Sequence, residues 1–205
     1  MPAEIQRFLG GFLRKGPCLI GQVHVSPELA LCNADDVERD SLTIFGDPHD
    51  ALIIARYDDQ GEYRPLKTAP NLRHGWALRL KSLEEATLAL DFLYPAALGT
   101  AHALAQGALK SVNLRETLAR QTGMYAVTRK ISDEQAESII ARTCNHADGC
   151  IRHILWSISA GRPSSLSGQR SDIQCAMNEI PIFCAEACNL LVAAARKVVK
   201  SSAVA

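Results

Sequence analysis

No charge of one sign dominates this chain. Its 22 Lys and Arg balance 22 Asp and Glu over 205 residues, so no global field draws it to nucleic acid or to an anionic membrane surface. No stretch reaches the roughly 18 consecutive apolar residues of a membrane span. The opening "MPAEIQRFLGGFLRKGPCLI" lacks the order of basic start, apolar run and small-residue cleavage site that marks a signal peptide. There is no Gly-rich phosphate loop, no H-E-x-x-H and no G-x-S-x-G, and neither an internal repeat nor a low-complexity segment. These absences lead us to expect a cytosolic protein. In that reducing setting stable disulfides are disfavoured, and clustered cysteines point to metal or redox chemistry.

What is present is ordinary for a folded protein: 47% apolar and 21% charged residues, with length for one large domain or two small ones. Charge is uneven along the chain. Residues 1–110 carry 11 Lys and Arg against 14 Asp and Glu, and residues 141–205 carry 7 against 4. Ile5, Phe8, Leu9, Phe12 and Leu13 fall at helical spacing and predict an amphipathic helix. From Cys18 to about Leu80 the pattern is strand-like: "CLIGQVHV", "ELALCN", "SLTIF", "ALIIARYD", "YRPLK" and "GWALRL" stand between turn-forming stretches. "ALIIARYDDQGEYRPLK" reads as a hairpin turned by Asp58, Asp59, Gln60 and Gly61.

Helical signals begin at Ser82, which stands at capping-box spacing from Glu85. Pro95 ends or kinks that helix. Asn113 and Gly123 bracket a second helix. Ser132 and Gln135 open a third, which delivers Cys144 at its end. Residues 157–172 read as a loop, and a last helix is expected from about Ala185 to Val199. The expected fold is α+β: a small, mostly antiparallel sheet in a mixed domain over residues 1–110, then a helical domain over residues 111–205 that bears four cysteines.

Four of the seven cysteines come in two pairs, "CNHADGC" and "CAEAC". Cys144 and Cys150 flank five residues that include the turn-formers Asn145, Asp148 and Gly149, so both thiolates can converge on one centre. Cys184 and Cys188, four apart, share a face if both are helical; Cys184, following Pro181, otherwise sits just before the helix. In either case Cys188 is expected in the first turn, where the helix amides favour an anionic sulfur. Two thiolate pairs suit a tetrahedral zinc or a four-cysteine iron–sulfur cluster. Zinc knuckles commonly place two to four residues in each pair. The five and three found here fit the larger cluster better, with zinc open through His146 or His153. Cys18 and Cys32 read as core, and Cys175 as incidental.

The run from Cys144 through "CIRHILW" to "CAEACNLLVAAARKVV" resembles the iron–sulfur module found as a C-terminal extension of proteins related to the sirohydrochlorin metal chelatases. "LDFLYPAALG" looks like part of the stabilising domain that accompanies it. The resemblance implies a [4Fe–4S] cluster held by Cys144, Cys150, Cys184 and Cys188, and work in electron transfer or redox sensing for tetrapyrrole metabolism. The implied partners are a separate chelatase or redox enzyme and a tetrapyrrole ligand. It does not carry over chelatase activity, since a chelatase domain needs about another hundred residues. Nor do His24, His49, His74, His102, His146 and His153 form an evident metal-inserting set.

Arg152 and His153 stand where they can donate to cluster sulfurs, or else lie solvated on a helix. Trp156 is expected to pack in the core rather than shield a cluster. Arg162 and Arg170 flank a loop and are expected to be solvated more than to hold an anion. His49 and His74 fall in turns without a partner nucleophile, so no catalytic residue is assigned. The rival reading is a zinc- or cluster-stabilised binding module with no redox activity.

Overall fold

The computed structural model describes residues 2–58, 60–63, 71–144, 150–166 and 178–202. In chain order the helices are α1 (Ala3–Leu13), α2 (Asp50–Arg56), α3 (Leu83–Leu93), α4 (Ala97–Ala105), α5 (Leu114–Ala119), α6 (Asp133–Thr143) and α7 (Asn189–Ser202). The strands are β1 (Cys18–Ile20), β2 (Val23–Val25), β3 (Ala30–Asn33), β4 (Thr43–Phe45), β5 (Trp76–Arg79), β6 (His153–Ile154), β7 (Glu179–Ile180) and β8 (Phe183–Cys184). The chain forms two compact units, Met1–Ala108 with Cys175–Ile182, and Leu109–Gln174 with Phe183–Ala205.

The first unit is built on a six-stranded sheet in the order β4-β5-β3-β2-β1-β7. The three central pairings are antiparallel and the two outer ones, β4 with β5 and β1 with β7, are parallel. The sheet is therefore mostly but not purely antiparallel. Alternation sets its inner face: Cys18 and Ile20, Val23 and Val25, Leu31 and Asn33, and Trp76 and Leu78 are buried. Helix α1 covers core with Ile5, Leu9 and Leu13, and α3 with Ala86, Ala89, Leu90 and Leu93. Each such leucine stabilises by about 2 kcal/mol on leaving water.

The turn from β1 to β2 needs glycine. Gly21 has φ +59°, and a Cβ there would run into the Ile182 side chain and stand 3.0 Å from the Tyr94 ring. Ser82 caps α3 by accepting from the Glu85 amide at 3.2 Å, and the Glu85 carboxylate accepts from the Lys81 amide at 2.7 Å. Pro95 interrupts the run as expected, and α3 and α4 meet at 106°. Together those two pass for a membrane span by length and composition, but no single helix among the described residues is long and apolar enough to cross a membrane.

One strand expectation is corrected. "ALIIAR" is helix α2, because Ala51, Ile54 and Ala55 are buried at the i, i+3, i+4 spacing of one helical face. The turn after it is present: Asp58 accepts from the Gln60 and Glu62 amides at 2.9 Å each, and Tyr57 bridges Tyr63. Asp59 and most of "YRPLK" lie outside the described residues.

In the second unit α5, α6 and α7 enclose a core of Leu114, Leu118, Ile139, Ile140, Trp156, Ile158, Leu191, Val192 and Ala195. Asn113 caps α5 as expected, but α5 stops at Ala119. Gly123, at φ +56°, instead opens a 3-10 segment, Gly123–Lys130. Ser132 and Gln135 close a full capping box on α6. Arg115 ties the Ile131 carbonyl and Asp133 together, and Arg162 reaches Asp133 at 3.0 Å. The last helix begins at Asn189, four residues later than expected, because 183–184 are drawn into a parallel pair with β6.

Candidate functional site

The four paired cysteines all belong to the second unit, and three of its elements end at them. Cys144 is the residue at which α6 stops: its amide still reaches the Ile140 carbonyl at 2.8 Å while its own backbone is extended. The Cys150 amide donates to the Thr143 carbonyl at 3.0 Å, and Cys144 and Cys150 form an isolated parallel bridge. The two ends of that loop are thereby held side by side. Residues 145–149, His146 among them, lie outside the described residues.

Cys184 ends β8. It lies opposite Ile154, and its carbonyl accepts from the Leu155 amide at 2.9 Å. It is therefore a strand residue and does not share a helix face with Cys188. Cys188 directly precedes the first residue of α7, and its carbonyl accepts from the Val192 amide at 3.1 Å. It stands at the helix entrance rather than inside the first turn. The leading amides of a helix have no acceptor within it and can meet one placed there.

Cys184 and Cys188 pack against the buried cluster that holds Cys144, and Cys144 bridges Cys150. Burial pushes the Cys144 thiol up to about 12, and Cys188, Cys150 and Cys184 add to the shift. Burial raises Cys184 to about 11, with Cys188 and Cys150 again contributing. Cys150 is raised by burial as well, and then by Cys188. Each thiolate penalises the next, so four of them in one place call for a compensating cation. The sulfurs lie within electrostatic range of one another. Among the described residues, however, no three His, Cys, Asp or Glu side chains close to the distances of a single bound ion.

Two groups oppose the burial penalty. The Arg152 amide donates to the Cys150 sulfur, and the Arg152 charge favours thiolate at both Cys150 and Cys184. Its guanidinium is held over this region by a 3.3 Å bond to the Phe183 carbonyl. The second group is the indole of Trp156, which acts on Cys184. Trp156 is buried in the core as expected, but its donor role was not legible as a spacing. The available signal was period two: Ile154 and Trp156 fall on one side of the segment that starts at β6.

The remaining candidates lie elsewhere. His153 sits on β6 with its ring against Phe183, centroids 6.2 Å apart. Arg162 is exposed and also paired with Asp133 and Glu134, and Arg170 lies outside the described residues, as does Cys175. His49 bonds Asp47, and His74 stands 3.6 Å from Asp36. Cys18 is core, and Cys32 is half-buried beside His24 in the sheet.

Residues 106–197 match the family model of a 4Fe-4S iron–sulfur cluster binding domain. Residues 10–105 match that of the DR2241 stabilising domain. Together the two models account for residues 10–197, a stabilising domain followed by a 4Fe-4S cluster binding domain. A solved structure from Deinococcus radiodurans, DR2241, is similar across both. It is described as a multi-domain protein with structural similarity to chelatases and two additional novel domains. The identity is 26% and the TM-score 0.80, over 97% of this chain and 41% of that one. The stabilising and cluster-binding domains together thus span well under half of that protein. No curated protein matches the chain.

The cluster-binding domain suits its family's cofactor on chemical grounds. Four soft sulfur donors, a backbone N–H aimed at one of them and a fixed guanidinium nearby are what an anionic iron–sulfur cluster requires.

Proposed function

We propose that this protein binds one [4Fe–4S] cluster through Cys144, Cys150, Cys184 and Cys188, and that it serves as a cytosolic redox or accessory protein. The observation that carries the reading is the meeting of these cysteines around one core, delivered by the end of α6, the end of β8 and the entrance of α7. When bound, the cluster supplies one-electron chemistry. The chain's own residues hold it: the helix ends and the parallel β6–β8 pair fix the sulfurs, and Arg152 offsets the negative charge. A link to tetrapyrrole metabolism is supported by the chelatase-like character of the Deinococcus protein, and the partner would be a separate chelatase or redox enzyme.

A second reading has its own support. Cys144 belongs to the apolar core of the second unit, and Cys184 and Cys188 pack against it, so the bound group also fastens α6 to α7. In that reading zinc or a cluster is structural and the protein is a binding module. Anaerobic purification with iron, sulfide and zinc analysis and EPR separates the two. Equal iron and sulfide and a reversible EPR-active reduced state support the redox reading. Stoichiometric zinc in a colourless protein overturns it, and collapse of the fold on every change of oxidation state favours the structural role.

A further inference from the structure

The second unit buries one indole donor without a full hydrogen bond. Trp156 is 1% exposed, and its Nε1 has no hydrogen-bond partner among the described residues. Leaving such a donor dry and unpaired is costly. The other tryptophan shows the usual outcome: Trp76 Nε1 donates to the Arg73 carbonyl.

Chain geometry places the unused donor. Ile154 lies opposite Cys184 across the β6–β8 pair, and Leu155 donates to the Cys184 carbonyl, so residue 156 follows one step past that cysteine. Trp156 and Cys144 belong to one buried cluster, and Cys184 and Cys188 pack against it. The indole N–H lies near the Cys184 sulfur, but the contact stops short of a full hydrogen bond. In the thiol form the Cys184 sulfur is instead engaged as a donor to the Glu186 carbonyl, at 2.8 Å. Metal ligation removes that proton and leaves a sulfur that can only accept.

We propose that Trp156 is a positioning residue whose indole N–H is held in reserve for the Cys184 sulfur in its metal-bound form, where it stabilises the reduced state of the cluster. The inference rests on the four-cysteine reading above. A donor aimed at a ligand sulfur favours the more negative oxidation state and raises the reduction potential. Only the difference in the strength of that bond between the two oxidation states moves the potential, so at fixed ambient potential its loss shifts the reduced-to-oxidised ratio severalfold toward oxidised.

The test compares reconstituted full-length wild type with Trp156→Phe in a mediated dithionite titration followed by EPR. The inference expects equal iron and sulfide in both and a more negative potential in the variant. Equal potentials at equal loading overturn it while leaving the four-cysteine reading intact. A wild type that takes up no iron overturns both. Where Trp156→Phe does not fold, wild type labelled with 15N-indole tryptophan decides the matter. Pulsed EPR of the reduced cluster should then show coupling to an exchangeable indole proton, retained in Trp76→Phe. Its absence overturns the inference.

Discussion

Ile154 and Cys184 face each other across a two-residue parallel pairing, and this contact joins chain segments thirty positions apart. It brings the two cysteine-bearing segments together. The arm that leaves Cys150 is clamped to the strand that ends at Cys184, and the Arg152 guanidinium reinforces the clamp through the Phe183 carbonyl. A thiol of ordinary character would gain nothing from such company. Burial and crowding raise the cost of a thiolate at Cys144, Cys150 and Cys184, and a bound cation would relieve it.

Serine replacement tests that assignment directly. Cys144→Ser, Cys150→Ser, Cys184→Ser and Cys188→Ser should each lose most of the iron and the visible absorbance after anaerobic reconstitution. Cys18→Ser and Cys32→Ser should retain both, because these two stand in the sheet of the other unit. If Cys175→Ser abolishes the cluster while one of the four serine variants keeps it, the ligand set is wrong.

Gly21 offers a test of the stabilising domain. Gly21→Ala places a methyl group against the Ile182 side chain and the Tyr94 ring, at a φ that L-residues rarely adopt. The expected loss is about 1–3 kcal/mol, from overpacking and backbone strain together. The urea midpoint should fall without a change in slope. An unchanged midpoint would show that the β1–β2 turn has room to relax.

Much of this was legible in the sequence, and the reasons for the exceptions are physical. Ser82, Asn113, Ser132 and Pro95 mark helix boundaries through local chemistry, which needs no tertiary context, and each acts as read. The segment 50–56 read as strand because Leu52, Ile53 and Ile54 are consecutive and β-rich. Burial at Ala51, Ile54 and Ala55 shows that the small residues carried the period. The start of α7 was misplaced because Phe183 and Cys184 pair with His153 and Ile154, a contact between distant segments that no local window contains. The two cysteine pairs were legible as spacing. The donor on Trp156 was not, because burial and the want of another partner are properties of the folded core.

Asp36 sets an acid limb on stability. Burial by itself raises its carboxyl. The Gly75 amide at 2.5 Å, the Arg39 guanidinium at 3.1 Å and His74 outweigh that and hold it below the usual carboxylate range. A carboxyl whose folded value is depressed contributes stability above its unfolded value, near about 4, and loses it as pH falls through the folded value. Unfolding midpoints should therefore drop on acidification below about pH 4. In Asp36→Asn that part of the acid dependence should vanish, alongside a lower plateau at neutral pH. An acid limb of the same size in the variant would assign it to other carboxylates.

Ser132 lies at the opposite end of α6 from Cys144, which makes it a probe of how firmly that helix holds its cysteine. Its hydroxyl accepts from the Gln135 amide at 3.1 Å, and the Gln135 side chain accepts from the Ser132 amide at 3.0 Å. Ser132→Ala removes half of that box and should cost about 1 kcal/mol. The apo protein should show the loss as a lower thermal midpoint. In the loaded protein the bound group grips the far end of the same helix, and mass action adds its binding energy to the folded state. The midpoint should accordingly recover most of its value on reconstitution. A variant as destabilised with the cluster as without it would mean that α6 frays independently of Cys144, and that the site draws its rigidity from β8 and α7 alone.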